Sequence, residues 1–88
     1  MRLIGRKKLH ALIGVSAQTD LWLSIWASEV IHAHWKGPAD VMRQFPHVVH
    51  SEPDLFCFDA DGQPQAVELQ IVFIKEIALI TRVKKFVH

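Results

Sequence analysis

The sequence predicts an α+β domain, with two or three N-terminal helices packed on one face of a three- to four-stranded antiparallel sheet. Two observations lead there. Between Leu9 and Gln44 the apolar residues recur at helical spacing, and beyond Pro53 they alternate with the two-residue period of strands. Helices that come first and a strand meander that follows segregate into two layers around one core. The 88 residues suffice for one modest core and not for two, so residues 1–88 form a single domain.

The elements follow in order. Leu9, Leu12 and Ile13 sit at helical spacing and Gly14 stops them, which makes a short first helix. Ser16 or Thr19 can cap a longer second helix, with Asp20 favourable in its first turn. From Leu21 to His34, the residues Trp22, Ile25, Trp26, Val30 and Ala33 make an apolar stripe, opposite Asp20, Ser24, Ser28 and His32. Gly37-Pro38 ends this helix, and Pro38 opens a short third one from Ala39 to Gln44. An irregular connection between Pro46 and Pro53 holds His47 and His50. Leu55-Phe56-Cys57-Phe58 reads as a strand, and Asp59-Ala60-Asp61-Gly62 as a tight turn. Val67, Leu69, Ile71 and Phe73 alternate with Glu68 and Gln70, the pattern of a strand with one buried face. A turn at Lys75-Glu76 leads to a last strand, Ile77 to Val83.

Composition excludes several classes. Apolar residues are 50% of the chain and charged residues 22%, which argues against disorder. No apolar run reaches the roughly 20 residues that span a bilayer, so no membrane partner is expected. The opening Met1-Arg2-Leu3-Ile4-Gly5-Arg6-Lys7-Lys8 puts charge where a signal peptide needs an apolar stretch. With the lone Cys57, which cannot close an internal disulfide, this points to the cytoplasm.

The net charge is only +1, but the cations are concentrated at the ends. Arg2, Arg6, Lys7 and Lys8 lie in the first eight positions, and Lys75, Arg82, Lys84 and Lys85 in the last fourteen. Residues 9–74 hold two basic groups, Lys36 and Arg43, against eight acidic ones. A polyanion partner therefore requires a fold that brings the two ends together; otherwise they are solubilising termini.

One stretch carries a more specific signal: Trp26, Glu29, Trp35-Lys36, Pro38-Ala39-Asp40 and Phe45 at fixed spacing, preceded by Arg2-Leu3-Ile4 and Arg6-Lys7-Lys8-Leu9. In these residues the chain resembles the HigB-type toxins of bacterial type II toxin–antitoxin pairs, in the RelE/ParE-like superfamily. The likeness spans essentially the whole chain. It implies a RelE-like fold with an opening strand and a basic first helix. In the C-terminal half, Phe58-Asp59-Ala60-Asp61-Gly62-Gln63 stands where the family has an aromatic, an asparagine and a double glycine. The strand arginine of the family falls on Ala66, its histidine near Phe86, and its tyrosine has no counterpart.

The resemblance implies an mRNA endonuclease that acts on the ribosome, inhibits translation and is neutralised by a helix-turn-helix antitoxin of HigA type. Such a reaction uses the 2′-hydroxyl as nucleophile on the adjacent phosphate. It needs a base, an acid and cations for the developing phosphorane charge. Arg82, Lys84 and His88 are the catalytic candidates; Arg6, Lys7, Lys8 and Lys85 are candidates to hold more distant phosphates. Each has a plain alternative, a solvated tail for Lys84-Lys85 and a frayed end for His88. The departures at Ala66 and beyond allow a second reading, a catalytically impaired or truncated protein that only binds antitoxin or RNA. No cofactor or metal is expected: His32 and His34 fall on different helix faces, and His47 and His50 near Glu52 and Asp54 match no strong ligand spacing. Cys57 on its apolar strand reads as a small buried hydrophobe.

Overall fold

A computed structural model describes residues 1–60 and 65–85. It is an α+β domain, with the elements β1 (Arg2–Ile4), α1 (Ala17–Ile31), α2 (Pro38–Gln44), β2 (Val49–Glu52), β3 (Leu55–Asp59), β4 (Gln65–Val72) and β5 (Ile77–Lys85). Two 3₁₀ segments, Arg6–Ala11 and Phe73–Lys75, complete it.

The sheet differs from the expected three- to four-stranded antiparallel meander. It has five strands in the order β1-β5-β4-β3-β2 and is mixed, because β1 pairs parallel with β5. Arg2, Leu3 and Ile4 lie beside Ile77, Ala78 and Leu79. A three-residue strand carries too little pattern to declare its partner or direction. β2 was expected to be irregular. It is a polar edge strand, Val49-His50-Ser51-Glu52, paired to β3 on one side, so no apolar alternation marks it.

Local chemistry sets the helices. Ser16 is the N-cap of α1: its Oγ accepts the Thr19 backbone N–H at 3.0 Å and donates to Thr19 Oγ1 at 2.9 Å. Asp20 Oδ1 accepts the Gly14 N–H at 3.0 Å, which ties the preceding loop to the first turn. At the other end the Met1 ammonium donates to the Ile31 and Ala33 carbonyls, both at 2.8 Å, a cation at a helix C-terminus. α2 opens on Pro38 with Asp40 in its first turn, and the Asp40 carboxylate accepts the Lys36 N–H at 2.9 Å. The first helix is a 3₁₀ turn rather than an α-helix; Leu9 and Leu12 enter the core, while Ile13 stays exposed.

The buried stripe of α1 is rotated from the expected one. Thr19, Leu23, Trp26, Ala27 and Val30 face inward; Ile25 is 51% exposed and Trp22 half-buried. Apolar residues occur all round this helix, so periodicity left its orientation open. Inside, Trp26 meets Phe58 edge-on at 5.5 Å, Phe58 meets Phe45 at 5.0 Å, and Phe45 meets Trp35 at 6.1 Å. Trp35 Nε1 donates to Gln44 Oε1 at 2.9 Å, joining α2 to the end of the α1 connection. Trp26, Phe58, Phe45 and Trp35 thus form one aromatic cluster that joins α1, α2 and β3.

Strand alternation then assigns the two sheet faces. Phe56, Phe58, Val67, Leu69, Ile71, Ala78 and Ile80 join the helix residues in the core. Their neighbours Cys57, Ala66, Glu68, Gln70, Arg82 and Lys84 therefore lie on the face away from the helices. β4 was expected to bury one face only, yet Ala66 and Glu68 on that far face are buried as well.

Candidate functional site

Glu68 organises the far face. It stands in the middle of β4, opposite Cys57 on β3 and Arg82 on β5. A register shift beside Glu68 inserts Thr81 between Ile80 and Arg82, so two consecutive β5 residues oppose one on β4. That β-bulge aims both residues at the carboxylate. Thr81 Oγ1 donates to Glu68 Oε1 at 2.7 Å, and Arg82 Nε lies 3.4 Å from the same oxygen. Lys84 Nζ lies 3.4 Å from Oε2, and Cys57 Sγ contacts Oε2 at 3.9 Å. Thr81 Oγ1 also reaches the Glu68 carbonyl at 3.2 Å.

The electrostatics follow from that geometry. The Thr81 hydroxyl holds the Glu68 carboxyl below its usual range; burial opposes this, and the Lys84 hydrogen bond and the charges of Arg82 and Lys84 reinforce it. The Lys84 ammonium is held above its ordinary value, first by the Cys57 sulfur beside it and then by Glu68, against some desolvation. Glu68 is thus ionised and both cations charged at neutral pH, leaving the trio one positive charge in excess.

The candidate residues separate into two groups. Arg82 and Lys84 stand together on the far face; the Lys85 backbone ends β5 opposite Gln65, and His88 lies outside the described residues. The 3₁₀ segment Arg6–Ala11 does pack beside β5, and Lys8 Nζ donates to the Ile80 carbonyl at 3.2 Å. That carbonyl lies just past the last β1–β5 pair, Ile4 with Leu79. Arg6 and Lys7, however, border a groove against α1, on the helical side. The two basic ends therefore meet at β5 but serve different faces.

Lys84 occupies an informative position. Its register partner is Ala66, so the cation on β5 stands beside a small residue on β4. Glu68, Thr81 and Cys57 were not nominated from sequence. The available signal was the acid at the centre of an apolar strand, where an unpaired carboxylate would be costly.

The described histidines do not gather into a metal-binding group. His50 stacks on Phe56 with ring centroids 4.5 Å apart, and His34 Nδ1 sits 4.0 Å from Glu76 Oε1. Among the described residues, no group of three His, Cys, Asp or Glu side chains is placed to hold a metal ion. Among them, too, no helix is long and apolar enough to cross a membrane. No family model matches the chain, and no curated protein matches it significantly.

Proposed function

We propose that this protein is an RNA-cleaving toxin of HigB type, with a RelE-like fold, and that the Glu68–Arg82–Lys84 cluster is its catalytic site. The observation that carries the reading is a carboxylate flanked by two cations at 3.4 Å on the sheet face away from the helices.

Each group has a role in the chemistry. Arg82, 63% exposed, is free to turn its guanidinium from Glu68 to a scissile phosphate, where its planar fork grips two oxygens. Lys84 adds a point charge. Charge building on the phosphorane strengthens both contacts, the differential interaction that lowers a barrier. Glu68, ionised and released from Arg82, accepts the 2′-hydroxyl proton as the 2′-oxygen bonds to phosphorus. The phosphorus–O5′ bond breaks, and the leaving oxygen takes a proton from the Lys84 ammonium or from water. The products are a 2′,3′-cyclic phosphate and a 5′-hydroxyl end. The message is bound in the cytoplasm, on the ribosome, and a HigA-like antitoxin opposes the activity.

A second reading rests on the same pairings. In this reading Glu68 holds Arg82 and Lys84 in permanent ion pairs, and the fold binds antitoxin or RNA without cutting. The deciding experiment incubates the purified protein with actively translated mRNA beside an Arg82→Ala variant. Cleavage by the wild type that falls at least tenfold in the variant supports the enzyme. Equal cleavage by both rejects this site, and intact mRNA in both rejects the activity.

A further inference from the structure

A second surface lies on the opposite side of the molecule. The 3₁₀ segment and α1 enclose a groove of about 450 Å³, open to solvent along one side. One wall is basic: Arg6, Lys7 and His10. No ion pair engages any of the three among the described residues. The floor is apolar, with Leu9, Leu23 and Ala27, and Ile13 stands at its edge, 58% exposed. The one carboxylate in the lining, Asp20, already accepts the Gly14 N–H at 3.0 Å.

This combination selects among ligands. A nucleic acid needs cations and, for unpaired bases, an aromatic platform. The groove supplies cations but no aromatic side chain, and it presents apolar surface that a phosphate backbone leaves unused. An amphipathic helix with apolar anchors at i, i+3 or i+4 and i+7, flanked by Glu or Asp, fills both requirements. Its anchors meet Leu9, Ile13, Leu23 and Ala27, and its acids meet Arg6, Lys7 and His10.

We infer that this groove docks an acidic amphipathic helix of a partner protein. The partner's biological role, an antitoxin's, rests on the toxin reading; the binding chemistry does not. The groove also lies away from Glu68, so occupancy and cleavage are measured separately.

The test uses a synthetic 16-residue amphipathic helix with leucine anchors and glutamate flanks, a twin with lysine flanks, and a uridine oligonucleotide. Isothermal titration gives affinities, and backbone amide NMR maps the site. The glutamate peptide is expected to shift the amides of residues 6–13 and 20–27 and to bind at least tenfold more tightly than the lysine peptide. Arg6→Glu with Lys7→Glu should weaken it at least tenfold. Ile13→Glu, at an exposed position that leaves the core intact, should do the same while mRNA cleavage stays at the wild-type level. The inference is overturned if the glutamate peptide shifts no groove amides, if the lysine peptide binds as well, or if the oligonucleotide takes the groove in preference to the peptide. Loss of cleavage with peptide binding intact would reject the enzyme reading and leave the groove standing.

Discussion

Replacing Glu68 by Gln keeps the shape of the side chain and removes its charge. The amide oxygen can still accept the Thr81 hydroxyl, now 2.7 Å from Oε1, so that bond is largely retained. Both ion pairs are lost. Arg82 is 63% exposed, and a pair in that setting contributes between nothing and about 1 kcal/mol. Lys84, 33% exposed, is less well solvated and sits at the upper end of that range. The substitution should therefore cost about 1–2 kcal/mol at pH 7, which lowers the midpoint of thermal unfolding by roughly 4–15 °C in a domain of this size.

Acid supplies the sharper test. The folded-state pKa of Glu68 lies below its ordinary value of 4.5. The unfolded chain therefore binds the proton first as pH falls. The carboxylate's stabilisation is complete above about pH 5 and is lost as pH falls through the depressed folded value. Urea unfolding at pH 7 and at pH 3 should show a difference between wild type and Glu68→Gln that is larger at the first than at the second. A variant as stable as wild type at pH 7, or a difference unchanged at pH 3, would refute the account of the cluster.

Further outcomes are expected. Lys84→Met should destabilise by up to about 1 kcal/mol at pH 7, and the difference should shrink as pH rises past the lysine's ordinary 10.5 and through its raised folded value; alkaline unfolding curves check this. Gly5→Ala places a Cβ 2.9 Å from the Ile80 carbonyl oxygen at φ +91, so a loss of about 1–3 kcal/mol should appear in urea unfolding. Ser16→Ala removes the α1 cap and should cost about 1 kcal/mol, with amide exchange faster in the first turn of that helix.

Much of the fold was legible in the sequence, for identifiable reasons. Ser16, Pro38 and the alternation from Val67 to Ile71 report local geometry, and the elements formed there. The parallel β1–β5 pairing was not legible, because three residues encode no partner. The edge strand β2 was missed because its polar residues look like a loop. At the candidate site, Arg82 and Lys84 could be nominated as cations near the chain's end. Their convergence could not, since it depends on the register of β4 against β5 and on the bulge at Thr81. Glu68 was visible only as an alternating acid; its burial, and with it the reason for two paired cations, is a property of the folded sheet.

The most direct measurement compares cleavage of translated mRNA by wild type and by Glu68→Gln, each first shown to be folded at the assay temperature. If Glu68 accepts the 2′-hydroxyl proton, the wild type leaves 2′,3′-cyclic phosphate ends and the variant is slower by about 10²–10⁴-fold. Equal rates, or no cleavage by the wild type, would contradict the catalytic reading of the Glu68–Arg82–Lys84 cluster.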